Sequence, residues 1–124
     1  MIFFNNFTRK LMILNLKEII KSDTALSPDA GSTIFSLINR GLLERQDIKL
    51  DFYGIEVVTS AFLNAAIGQL YSKFESKDLN EHLKIVNLPI EDRALLRKVI
   101  ERAKDYFQDQ KSFEERMDDL YGDE

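Results

Sequence analysis

The sequence predicts an α/β fold, in which a small, mostly parallel or mixed sheet of three to five strands carries three main helices. Three observations support this: strand-like apolar runs alternate with helical patterns, Pro and Gly separate the two, and the apolar fraction is that of a globular protein. A chain of 124 residues can bury one ordinary core but not two. We therefore expect a single domain.

The first strand is predicted at residues 11–16, LMILNL, a short apolar run before polar residues, although periodicity alone also allows a helical turn. The apolar residues before it, within residues 1–11, form an N-terminal extension or an edge strand. Arg9 and Lys10 interrupt this apolar run and no small-residue cleavage site follows, so it does not resemble an export signal.

The first main helix is predicted to begin at Ser27-Pro28-Asp29, which combines an N-cap, a proline at the first helical position and an acid in the first turn. Gly41 is expected to mark its end. One face is predicted to be buried because apolar residues recur at helical spacing: Ile34, Leu37, Ile38 and Leu42.

The second strand is predicted at residues 48–53, where apolar and polar residues alternate, and Gly54 closes it with a turn. A central helix follows from Thr59 to about Phe74. Its apolar residues spread around most of its circumference, which predicts that it is mostly buried.

The third strand is predicted at residues 83–86, and Pro89 opens a final helix with Glu91 and Asp92 in its first turn. The buried stripe of this helix is expected to comprise Leu96, Val99, Ile100, Ala103 and Phe107. The residues beyond Lys111 are either a frayed helix or an appendage that faces a partner.

Charge is distributed unevenly along the chain. Residues 1–107 carry 15 basic and 14 acidic groups, whereas residues 108–124 carry 2 basic and 7 acidic groups. A nearly neutral body without a basic run argues against nucleic-acid binding. No apolar stretch approaches the ~20 residues of a membrane span, and the absence of cysteine fits a cytoplasmic protein.

The sequence contains few residues of the kinds that carry out catalysis. His82 is the only histidine and lies in a polar stretch, where a free surface residue is the simplest interpretation. Cysteine is absent, the five glycines form no phosphate-binding loop, and the carboxylates are scattered. We therefore expect no enzyme, no cofactor and no metal site.

A family resemblance lies in the run LDFYGIEVVTSAFLN, residues 50–64. A strand ending in Asp-Phe-x-Gly, followed by a helix that begins Ser-x-Phe-Leu, resembles the signature of the STAS-like family of unknown function. That family is named for its similarity to the sulphate transporter and anti-sigma factor antagonist domain. The resemblance implies a STAS-like domain over residues 12–107, an acidic tail over residues 108–124, and a bacterial or phage source.

The resemblance also implies a candidate site. In anti-sigma factor antagonists, a serine at the start of the corresponding helix is phosphorylated by a kinase-like ATPase, which releases the domain from that partner. Ser60 matches this serine, while Thr59 stands where the antagonists usually carry Asp and Phe62 where they carry Gly.

The residues themselves leave the roles of this site open. Thr59 or Ser60 can simply cap the helix, a role compatible with a phosphate switch. Asp51 lies at the end of a strand, where ligands of parallel sheets gather, but we favour a structural role in which it accepts hydrogen bonds from the turn at Gly54. The basic residues of the final helix fit a solvated face better than a docking patch.

We expect a regulatory module that binds a protein partner, implied by the resemblance to be a histidine-kinase-like ATPase, with Ser60, Thr59, Asp51 and Gly54 as candidate contact residues. The alternative is a small-ligand or nucleotide-binding domain that uses the strand ends and the start of the central helix. The sequence does not determine the oligomeric state.

Overall fold

A computed structural model describes residues 9–121, without the side chains of residues 112 and 118–121. Residues 1–8 of the predicted N-terminal extension or edge strand lie outside the described residues. The last three residues of the acidic tail also lie outside them.

Within residues 9–121 the chain forms five strands: β1 (Leu11–Asn15), β2 (Thr24–Ala25), β3 (Asp47–Asp51), β4 (Val57–Val58) and β5 (Leu83–Val86). β3 lies between β1 and β5 in a three-stranded sheet, and β2 pairs with β4 separately. All of these pairings are parallel, as expected when helical crossovers join successive strands. The predicted α/β class and the small sheet are confirmed.

The helices of this region are α1 (Leu16–Ile20), α2 (Pro28–Leu43), α3 (Ser60–Ala66), α4 (Ser76–His82) and α5 (Ile90–Tyr121), with a 3-10 segment at Gly68–Ser72. α2, α3 and α5 are the main packing elements, as the sequence predicts, and α1 and α4 are short additions that it missed. None of the helices within residues 9–121 is long and apolar enough to cross a membrane.

The core lies on one face of the main sheet. In β3, Ile48 and Leu50 are buried, whereas Lys49 between them stays partly exposed, because successive side chains of a strand point to opposite faces. Leu14 of β1 and Leu83 of β5 are also buried. The start of α2 sits close to α3, since a methyl group at Gly31 would lie 2.6 Å from the Phe62 carbonyl oxygen.

Several predicted boundaries need correction. β1 ends at Asn15 rather than residue 16, because the Asn15 side chain accepts a hydrogen bond from the Glu18 N–H and so caps α1. Gly41 does not end α2, which runs on to Leu43 with Ser27 as its N-cap, as predicted. Gly41 is needed instead for packing, since a methyl group there would lie 2.5 Å from the Ile48 side chain.

The central helix is not continuous from Thr59 to Phe74. α3 ends at Ala66, and the chain tightens into the 3-10 segment that begins at Gly68. Glycine weakens a helix interior, and at this point α5 packs across the chain, with Val99 close to Gly68. Because residues on both sides of the break are buried, the spacing of apolar residues does not reveal the break.

α5 is the longest element, and at 1.5 Å per residue it spans about 48 Å. Its first half is anchored to the body through buried Val99 and Ala103. The helix then continues through the predicted acidic tail as far as Tyr121, so these residues extend the final helix.

Candidate functional site

The candidate residues Asp51 and Gly54 lie in the turn that follows β3. The Asp51 carboxylate accepts hydrogen bonds from the Tyr53 N–H at 2.9 Å and from the Asn87 side-chain amide at 2.8 Å. Asn87 follows β5 and has a positive φ of 60°. Asp51 therefore joins the ends of two neighbouring strands through neutral donors.

Gly54 has a backbone conformation that requires glycine. Its φ is +82°, a value that side chains with a Cβ rarely adopt. A methyl group there would also lie 2.9 Å from the Cδ of Lys17. The turn thus allows α1 to approach the end of β3.

Thr59 is the N-cap of α3. Its Oγ1 accepts a hydrogen bond from the Phe62 N–H at 3.1 Å and donates one to the Leu26 carbonyl oxygen at 2.6 Å. The Thr59 N–H also donates to the Ala25 carbonyl oxygen, which continues the pairing of β2 with β4. Both functions of the Thr59 hydroxyl, donor and acceptor, are thereby used within the fold.

Ser60 is the first residue of α3, and its side chain is exposed. Among the described residues, its hydroxyl makes no hydrogen bond. Leu26 and Val57, which lie close in the fold or in the chain to Thr59 at the start of α3, each expose 46% of their surface. Phe62, two positions further, is fully buried. Ser60 is thus an accessible hydroxyl on a partly apolar surface.

The structure places the four predicted residues in two separate groups. Asp51 and Gly54 belong to the turn after β3, and Thr59 and Ser60 belong to the start of α3. No hydrogen bond between these two groups occurs within residues 9–121. The two groups lie in the same segment of chain, which leads from β3 to α3, but they lack the direct contacts of a catalytic cluster.

An open groove of about 660 Å³ lies beside the turn. Tyr53 contributes an exposed aromatic ring, and Asn15 marks the end of β1. The lining of the groove carries both signs of charge and comprises Asn15, Lys17, Glu18, Lys21, Ser22, Asp23 and Tyr53.

At the opposite end of β3, three residues form a polar cluster that sequence reasoning missed. Asp47 Oδ1 lies 2.9 Å from the Nε of Arg9 and 2.8 Å from the Nδ1 of His82. The hydrogen bond from His82, with a further contribution from Arg9, lowers the pKa of Asp47 below its ordinary value of 3.8. His82 is therefore a partly buried structural partner, and the expectation of a free surface histidine is corrected.

Two contacts of the candidate site were also missed. Asn87 carries a sequence signal, because asparagine after a strand favours a positive φ. The Leu26 carbonyl group has no such signal in the sequence. It is a backbone acceptor 33 residues from Thr59, and only the pairing of β2 with β4 brings the two residues together. Within the described residues, no group of three or more acidic or histidine side chains could hold a metal ion.

Comparison with known proteins identifies one family. Residues 30–92, just over half of the chain, match the family described as "STAS-like domain of unknown function (DUF4325)". The matched region extends from the first turn of α2 to the first turn of α5 and includes the turn after β3 and the whole of α3. Neither the curated proteins nor the solved structures yielded a match.

The match confirms the resemblance drawn from residues 50–64, and the parallel sheet, with α2 packed on β3 and α3 packed on α2, is consistent with it. The chain belongs to the family of STAS-like domains of unknown function.

Proposed function

We propose that this chain is a regulatory module without catalytic activity, which binds a protein partner and is switched by a phosphate on Ser60. The observation that carries the proposal is the contrast between two adjacent hydroxyls. That of Thr59 is occupied as both donor and acceptor, whereas that of Ser60 is exposed. A kinase can reach the second without disturbing the cap of α3.

The surface around Ser60 supports a docking role. Leu26, whose carbonyl oxygen accepts from Thr59, and Val57, three residues before Ser60, both expose apolar surface near the start of α3. A partner that covered them would gain the free energy of burying this surface. Ser60 would then lie within the contact, where a change in its charge affects binding directly.

A phosphate on Ser60 adds about 1.5 to 2 negative charges at pH 7. Because the side chain is exposed, the free domain keeps its fold and the phosphate stays hydrated. In the complex the same group must be desolvated against the partner, which weakens binding. The partner class follows from the resemblance to anti-sigma factor antagonists: a histidine-kinase-like ATPase of the cytoplasm, rather than a nucleic acid.

The test begins with native protein. Purification from its own cells, followed by mass spectrometry, identifies the bound partner and maps phosphate along the chain. Binding of the purified partner is then compared for wild type, Ser60→Asp and Ser60→Ala. Ser36, an exposed serine of α2, provides the matched controls Ser36→Asp and Ser36→Ala.

We expect Ser60→Asp to weaken binding, Ser60→Ala to bind without being phosphorylated, and both Ser36 variants to behave as wild type. If both Ser60 variants bind as wild type, and native protein carries no phosphate on Ser60, the proposed switch is wrong.

A second candidate function is binding of a small ligand or nucleotide in the open groove beside Tyr53. The observation that favours it is the position of the groove at the end of β1, since ligands of parallel sheets gather beyond the carboxyl ends of strands. A screen of nucleotides and small acids should raise the melting temperature of wild type but not of Tyr53→Ala. Equal shifts in both would place the ligand elsewhere.

A further inference from the structure

The second half of α5 presents a stripe of exposed aromatic surface. Tyr106 exposes 63% of its surface and Phe113 exposes 60%, and Met117 is partly exposed one turn further. Their spacings of seven and four residues place them on one face of the helix. Within the described residues nothing covers this face, although apolar stripes at such spacing are typical of helix pairs.

Opposite charges flank Tyr106 on the same face. Arg102 lies four residues before it and Asp109 lies three residues after it, and both side chains are exposed. Within the described part of the chain, neither side chain belongs to an ion pair. The two are about two turns apart along the helix, too far to pair with each other.

Charge is also distributed unevenly along α5. From Ile90 to Phe107 the helix has five basic and four acidic residues, whereas from Gln108 to Tyr121 it has two basic and five acidic residues. The excess negative charge therefore lies in the second half, and a second copy that runs in the opposite direction keeps the two acidic halves apart. Parallel pairing would instead place like charges side by side.

We infer that α5 is the dimer interface of this protein, and that two copies pair antiparallel about a two-fold axis close to Tyr106. In this arrangement Arg102 of each copy meets Asp109 of the other, so that the two ion pairs flank the central tyrosines. The exposed faces of Phe113 and Met117 become covered by the partner helix. A self-complementary patch of this kind is what a two-fold interface requires.

The direction of pairing can be tested by cross-linking, because the chain has no cysteine of its own. Tyr106→Cys places one thiol of each copy near the axis, and we expect a disulfide-linked dimer. In the antiparallel arrangement Phe113→Cys thiols lie about 21 Å apart along the helices, beyond the reach of a disulfide. Efficient cross-linking through Phe113→Cys would overturn the antiparallel arrangement.

The interface itself is tested by analytical ultracentrifugation of the full chain from micromolar to millimolar concentration, where we expect a species of twice 14.4 kDa. Either Arg102→Asp or Asp109→Arg alone places like charges opposite each other in both symmetry-related contacts of the dimer. Each of these variants should weaken dimerisation about tenfold. The double variant restores opposite charges and should recover most of the loss.

Arg97→Asp is the matched control, because it makes the same charge change at an exposed position on the other side of α5. Circular dichroism of each variant should show an unchanged fold, since all of these side chains are exposed. A monomer at every concentration overturns the proposal, and so does a dimer that Arg102→Asp leaves intact. Neither result bears on the phosphate switch, whose readout is the binding of a different protein.

Discussion

The two regions that flank β3 are held by different kinds of contact. At the start of the strand, Asp47 is bound by the guanidinium group of Arg9 and the imidazole ring of His82. At its end, Asp51 accepts hydrogen bonds from two neutral donors, and the chain continues through a positive-φ glycine into α3, whose first turn is capped by Thr59 and anchored by the buried Phe62 ring. The first region depends on protonation and salt, whereas the second depends on burial and backbone geometry.

This difference bears on function. A surface meant to receive a phosphate benefits from a support that does not itself respond to charge. The region from Gly54 to Phe62 meets this requirement, because burial, a neutral cap and a glycine turn hold it in place. The predictions below test whether the two regions differ in this way.

The largest effect is expected at Phe62, whose ring is fully buried in the first turn of α3. Phe62→Ala should lower the free energy of unfolding by about 3 to 5 kcal/mol, the usual range for deletion of a buried aromatic ring. Urea melts measure the loss. Tyr53→Ala is the control, because it removes an exposed ring from the same region and should change stability little. Similar losses in both variants would show that burial does not govern this region.

Gly54→Ala should lower the free energy of unfolding by about 1 to 3 kcal/mol, because φ at this residue is +82°. Gly68→Ala is the matched control, since a methyl group there meets no atom closer than 3.6 Å. Adding Lys17→Ala to Gly54→Ala separates steric overlap from backbone strain. Recovery of full stability in that double variant would refute the strain argument.

A smaller effect is expected at the cap of α3. Thr59→Ala removes the acceptor for the Phe62 N–H and the donor to the Leu26 carbonyl, and should cost about 1 kcal/mol. Thr59→Ser keeps both hydrogen bonds and should stay close to wild type in the same urea melts. A loss at Ser60→Ala equal to that at Thr59→Ala would mean that the two hydroxyls share the capping role.

Much of this fold could be predicted from local patterns. The start of α2 at Ser27 and the strand at β3 follow from capping chemistry and from the alternation of apolar residues. The break after α3 could not be predicted in this way. The segments on both sides of it are buried, and a single glycine at position 68 does not by itself predict the end of a helix. The break also lies where α5 packs against Gly68, and this is a tertiary contact that local patterns do not show.

The residues of the candidate site were proposed from the sequence, whereas their geometry could not be. Ser60 was found through the resemblance, whereas the contact that distinguishes it from Thr59 is a hydrogen bond to Leu26, 33 residues away in sequence. The ion-pair cluster was missed for the same reason. Arg9, Asp47 and His82 lie in three separate segments, and only the order of the strands brings them together.

The smallest effect is expected at Asp47, and it is the one that depends on pH. The pKa of Asp47 is lowered in the folded protein, chiefly by the hydrogen bond from His82, so the ionised Asp47 stabilises the fold at pH values above its ordinary pKa of 3.8. This contribution is lost as the pH falls through the lower folded-state pKa. Because the side chain is 42% exposed, it amounts to at most about 1 kcal/mol at neutral pH.

Asp47→Asn should therefore be less stable than wild type at pH 7, and the gap between the two should close in urea melts below about pH 4. High salt should narrow the gap at pH 7, because it screens partly exposed charges. Asp105→Asn, the same charge change at an exposed site of α5, is the control and should show no comparable gap. A gap at Asp47 that persists unchanged at pH 3 would mean that packing, rather than charge, holds the region before β3.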